Sequence, residues 1–133
     1  MLRPDADHRD ALRGVYVLVI DSDGESRGLV VAVLRYCAAY VHAVSSFAEG
    51  MTAMTHLVPD VLLVDTAADE DAGFAFMREV RALKALEGGA VPAIGLGSRE
   101  RAREARHCGF DAYLAKPFDA WQLCGTIVRL VAR

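Results

Sequence analysis

Two predicted strands are apolar at consecutive rather than alternate positions: Val15–Ile20 (VYVLVI) and Val61–Val64 (VLLV). A half-exposed strand alternates apolar and polar residues, so a strand apolar throughout needs cover on both faces, as in the interior of a parallel sheet. Val41–Ser45, Val91–Leu96 and Ala112–Ala115 read as three further strands. Between them the apolar period lengthens to that of a helix. Gly73–Leu86 sets Phe76, Met77, Val80, Leu83 and Leu86 along one face. Residues 24–39, Phe47–Leu57, Ser98–Cys108 and Trp121–Val131 are the other predicted helices, with Asp/Ser clusters at starts and Gly88-Gly89 or Gly109 at stops.

A β-α unit therefore repeats five times with short connections. Right-handed crossovers turn that order into a doubly wound α/β domain, a five-stranded parallel sheet flanked by five helices. Residues 1–13, polar and without period, are expected to be a tail or linker, and 14–133 the domain.

Composition narrows the function classes. The 133 residues carry a net charge of −3 with no long block of one sign, which gives no support to a nucleic-acid partner. No apolar run reaches the length of a membrane span and the N-terminus lacks a secretory pattern, so a cytoplasmic protein without membrane attachment is expected. Cys37, Cys108 and Cys124 are odd in number, widely spaced and free of CxxC or Cys/His metal spacing. They read as reduced, buried thiols.

In a doubly wound sheet, ligands bind beyond the carboxyl ends of the strands. Three strands end there in useful chemistry: Asp21 and Asp23 after the first, Asp65 at the third, Lys116 after the fifth. Acids and a lysine at neighbouring strand tips suit phosphoryl transfer. One carboxylate is the nucleophile, other acids hold Mg²⁺, and the ammonium neutralises a phosphoryl oxygen.

The motifs VLVIDSD, PDVLLVD with Gly73 eight residues on, and DAYLAKPF together resemble the receiver domain of two-component response regulators, over residues 14 to 131. The segment from Val91 to Asp119 is most similar to receivers of hybrid histidine kinases. The resemblance implies that Asp65 is the phosphoacceptor and Lys116 the phosphoryl partner. It implies a magnesium site from Asp21, Asp65 and the backbone carbonyl of Ala67, with Asp23 a further candidate. Tyr113 falls at the aromatic switch position, and a cis peptide is implied before Pro117. The implied partner is a histidine kinase or a histidine phosphotransfer protein. Such a domain acts only on its own phosphorylation and is not an enzyme in the usual sense.

The chain departs from that pattern at telling places. The second of the family's two consecutive acids is Ser22, which implies weakened Mg²⁺ binding. The hydroxyl residue ending the family's fourth strand is Gly97, with Ser98 one position late as a candidate substitute. Ala68-Asp69 replaces the Met-Pro usual after the acceptor.

Two other readings stay open. The fold could serve as a pseudo-receiver, a protein-interaction module independent of phosphorylation. Asp21-Ser22-Asp23-Gly24 also resembles the opening motif of haloacid-dehalogenase-type phosphatases, which would make Asp21 the nucleophile. The first helix is apolar nearly all round, and Val31 and Ala32, extended by Trp121, form a candidate docking or homodimer surface. The Arg and Glu residues of the fourth helix read as a solvated face, and His42 and His56 carry no assigned chemistry.

Overall fold

The computed structural model describes residues 8–132. Five parallel strands form one sheet in the order β2-β1-β3-β4-β5: β1 Tyr16–Ile20, β2 Tyr40–Val44, β3 Val61–Asp65, β4 Ala93–Gly97 and β5 Ala112–Ala115. The helices are α1 Gly24–Tyr36, α2 Phe47–His56, α3 Glu70–Arg81, α4 Ala102–Cys108 and α5 Ala120–Val131. β3 is buried at every position, as its unbroken apolar run requires of a central strand.

Each face of the sheet has its own core. Leu18, Ile20, Leu62 and Val64 point toward Met54, Phe74, Met77 and Phe110 of α2, α3 and the turn after α4. Val17, Val19, Leu63 and Leu96 point the other way, toward Leu34 of α1 and Leu123 and Ile127 of α5. Adjacent strand residues serve opposite clusters because successive side chains leave a strand on opposite faces.

The third helix starts earlier and ends sooner than its apolar spacing suggests. Asp69 caps it by accepting from the amide of Ala72 at 3.0 Å, which begins the helix at Glu70 rather than Gly73. It closes at Arg81, and Leu86, placed by periodicity on the buried face, instead sits on a 3₁₀ turn and is 96% exposed. The fourth helix is preceded by a 3₁₀ turn, Arg99–Arg101. Arg81 ties together the segments that lead into β4 and β5: its guanidinium donates to the carbonyls of Gly89, Val91 and Gly109 and pairs with Asp111.

Within the described residues, the segment before β1 packs onto the domain. Leu12 is fully buried in the cluster beneath α1 and α5, its amide donates to the carbonyl of Cys37 at 2.8 Å, and His8 stacks on Trp121.

Candidate functional site

The carboxyl ends of β1, β3 and β5 converge as the topology demands, because β1 and β3 are adjacent and Lys116 lies just past β5. Asp65, the last residue of β3, has a side chain only 5% exposed. Its Oδ1 accepts from the amide of Ala67 at 2.9 Å. Its Oδ2 is ion-paired with the ammonium of Lys116, whose Nζ stands 2.5 Å away. The buried Oδ2 is thus matched by a cation. The peptide between Lys116 and Pro117 is cis.

Asp21 lies beside this pair and is 3% exposed. Burial raises its carboxyl above the ordinary range, and the neighbouring Asp65 charge adds to the rise. Hydrogen bonds from Ser26 Oγ (2.6 Å) and the Asp23 amide (3.0 Å) oppose it. Two acids facing one lysine leave an excess of negative charge that a divalent cation would relieve. Asp23 acts elsewhere, its carboxylate capping α1 by accepting from the amide of Glu25. Ser22 is exposed on the rim of a cleft of about 300 Å³ that also takes in Ser45, Phe47, Asp65, Ala68 and Asp69.

At the end of β4, where the sequence offers Gly97 without a hydroxyl, the space is filled from the neighbouring strand. A Cβ on Gly97 would overlap the hydroxyl of Tyr113 and lie 2.5 Å from Thr66 Oγ1 and 2.7 Å from Glu70 Oε2. Tyr113 is buried and turned inward, donating to Glu70 Oε2 at 2.8 Å. The single Thr66 proton is shared between the Leu96 carbonyl at 3.0 Å and the Tyr113 oxygen at 2.9 Å. Ser98 is committed to the same cluster, its amide and hydroxyl both donating to Glu70 at 2.9 Å. Its hydroxyl therefore serves Glu70 and not Asp65. Burial, with the Glu70 charge adding to it, pushes the Tyr113 phenol up to about 12. Burial works to raise Glu70 as well, but the Ser98 and Tyr113 hydrogen bonds and the Arg101 charge outweigh it and lower the carboxyl.

A family model, the response regulator receiver domain, matches residues 17–128. The chain belongs to this family. Receiver domains are signalling domains of two-component systems, and this one has their fold of five parallel strands and five helices. It is 34% identical over 118 residues to an uncharacterized 14.6 kDa protein in the sodA1 3′ region of Leptolyngbya boryana, covering 86% of each chain. A response regulator structure from Chloroflexus aurantiacus superposes with a TM-score of 0.81 at 24% identity, over 90% of this chain and 98% of that one. The receiver domain of the sensor histidine kinase PA1611 from Pseudomonas aeruginosa, solved with magnesium in its active-site cleft, gives 0.80 at 25% identity, over 90% and 99%.

The remaining candidates lie on the receiver's outer surface. Val31 is half-buried and Ala32 exposed, and the more prominent apolar side chain on α1 is Leu29, 67% exposed. Leu29, Val30 and Val33 form a groove of about 510 Å³ with Pro117, Phe118 and Ala120, beside Lys116. Trp121 sits apart, between His8 and Tyr36. Sequence reasoning passed over Ser26, Thr66 and Glu70. Only Glu70 carried a usable signal, as an acid in the first turn after the strand that ends in Asp65. No helix among the described residues is long and apolar enough to cross a membrane.

Proposed function

We propose that this receiver accepts a phosphoryl group on Asp65 from a phosphohistidine on a histidine kinase or histidine phosphotransfer protein. One observation carries the reading: the buried Asp65 Oδ2 is ion-paired with Lys116 Nζ at 2.5 Å beside a second buried acid, Asp21. A carboxylate oxygen of Asp65 attacks phosphorus, and the P–N bond breaks with its electron pair returning to the imidazole. Lys116 then exchanges its contact with the carboxylate for one with a phosphoryl oxygen, neutralising the charge brought in. The partner's histidine would arrive over the groove of α1 and α5, whose apolar rim lies next to Lys116.

The donor set suits Mg²⁺, which takes hard oxygen ligands and needs only one or two carboxylates when phosphate and water complete its shell. Asp21, Asp65 and the Ala67 carbonyl would hold it, with Ser22 in place of a third acid. When bound, the ion offsets the charge of the phosphoryl oxygens.

A second reading is favoured by one specific observation. Tyr113 already occupies the space a switch hydroxyl would need, so a phosphoryl group on Asp65 has no side chain at residue 97 to draw inward. Under this reading the face formed by α4, β5 and α5 is held in one state, and the domain works as an interaction module whatever the state of Asp65. Treatment with acetyl phosphate and Mg²⁺ tests both. A labile acyl phosphate on Asp65 supports the first reading. An unmodified Asp65, together with unaltered Tyr113 resonances, supports the second.

A further inference from the structure

Cys37 closes α1 and Cys124 lies within α5, 87 residues later, yet their Sγ atoms stand 2.9 Å apart. Both are fully buried free thiols in the apolar cluster beneath these two helices. Cys108 belongs to the cluster on the opposite face of the sheet. A thiol–thiol contact of this kind is a ready-made pair rather than two isolated cysteines, because a bonded pair sits at about 2.05 Å, roughly 1 Å closer.

We propose that Cys37 and Cys124 form a reversible intramolecular disulfide when the protein meets hydrogen peroxide. One thiolate attacks a peroxide oxygen, the O–O bond breaks and water leaves, giving a sulfenic acid. The second thiolate attacks the sulfenic sulfur, the S–S bond forms and a second water departs. In total the two thiols lose two protons and two electrons, and the peroxide is reduced to two waters. A small thiol returns the pair to its reduced form by exchange.

Burial sets the tempo of this site. It pushes the thiols of both Cys37 and Cys124 up, and the thiolate is the reacting species, so the pair responds to sustained oxidant rather than as a rapid sensor. The adjacent sulfur captures the sulfenic acid before further oxidation. The bond ties the end of α1 to α5, the two helices that line the groove of Leu29, Val33, Ala120 and Leu123, and so fixes their separation. It also closes a long loop in the unfolded chain, which raises resistance to denaturant.

The test uses the full chain treated with hydrogen peroxide, freed of the oxidant, blocked with an alkylating agent in denaturant and digested without reductant. The expected product is one cross-linked peptide pair joining Cys37 to Cys124, lost on reduction, with Cys108 recovered as the alkylated thiol. The oxidised protein should unfold at a higher guanidinium concentration and return to the starting midpoint after reduction. Cys37→Ser and Cys124→Ser should each abolish both effects, while Cys108→Ala should leave them. Recovery of Cys37 and Cys124 as alkylated thiols, as separate sulfinic acids, or bonded to Cys108 overturns the proposal, and this mapping on the wild-type chain decides even where a variant does not fold.

Discussion

The hydroxyl of Tyr113 occupies the space that a side chain on residue 97 would fill. Gly97 ends β4 and Tyr113 lies in the neighbouring strand, where Gly95 pairs with Tyr113 and Gly97 with Ala115. Without a Cβ at 97 the phenol reaches under the strand end to Glu70 and Thr66. The absent side chain and the inward ring are one feature seen from two strands, and glycine is what makes the ring's position possible.

Restoring a hydroxyl at position 97 should expel the ring. Gly97→Ser places a Cβ against Tyr113 Oη and near Glu70, so either the ring swings out or the core strains by about 1–3 kcal/mol. The expected outcome is a more exposed tyrosine, read as a stronger quench by acrylamide. If the ring stays protected with unchanged stability, the steric account of Gly97 is wrong.

Glu70 should hold Tyr113 through charge as well as shape. Its carboxyl is lowered in the fold, so its contribution is present above the unfolded pKa and is lost as pH falls through the folded value. Glu70→Gln should therefore destabilise at neutral pH, by about 1 kcal/mol for weakened charged hydrogen bonds. The gap to wild type should close in acid, and denaturant curves at a series of pH values would show it.

Asp65→Asn should abolish phosphorylation by acetyl phosphate, and Lys116→Ala should reduce it at least tenfold, since the cation facing the acceptor is lost. Asp21→Asn should leave the label on Asp65 but raise the Mg²⁺ concentration needed. Mapping the labelled peptide decides the assignment: label on Asp21 would transfer the nucleophile's role to the β1 loop.

Ser22→Asp should tighten Mg²⁺ binding by about tenfold, because a carboxylate on the rim of the cleft that takes in Asp65 adds ligand charge where Asp21 and Asp65 already interact. Calorimetric titration with MgCl₂ measures it directly. An affinity equal to wild type would mean that position 22 does not reach the metal.

Leu29→Glu and Val31→Glu probe the outer surface separately. Leu29 lines the groove beside Lys116, whereas Val31 is not among the residues that line it. Loss of phosphoryl transfer from a phosphohistidine donor in Leu29→Glu, with acetyl phosphate still accepted, would mark the groove as the donor's seat. Equal transfer by Leu29→Glu and wild type would remove it, and a change in self-association on Val31→Glu would point to a homodimer instead.

The amino-acid sequence determines the layers and the buried strand that ends in Asp65. Unbroken apolar runs at β1 and β3 demand burial on both faces, and five β-α alternations with short links leave a parallel doubly wound sheet as the fold. Asp21, Asp65 and Lys116 were legible because each sits at a strand end, and parallel strands bring their carboxyl ends to one edge. Periodicity overshot at Leu86, since it carries no signal for where Asp69 and the 3₁₀ turn cut the helix.

What only the tertiary structure decided are contacts between residues far apart in the chain. Tyr113 meets Glu70 43 residues away, Ser98 meets Glu70 across 28, and Cys37 meets Cys124 across 87. A side chain's period tells which face it leaves from, but not which partner it finds there. That choice rests on strand register, on the depth to which α3 and α5 pack, and at residue 97 on the room left by a single missing Cβ.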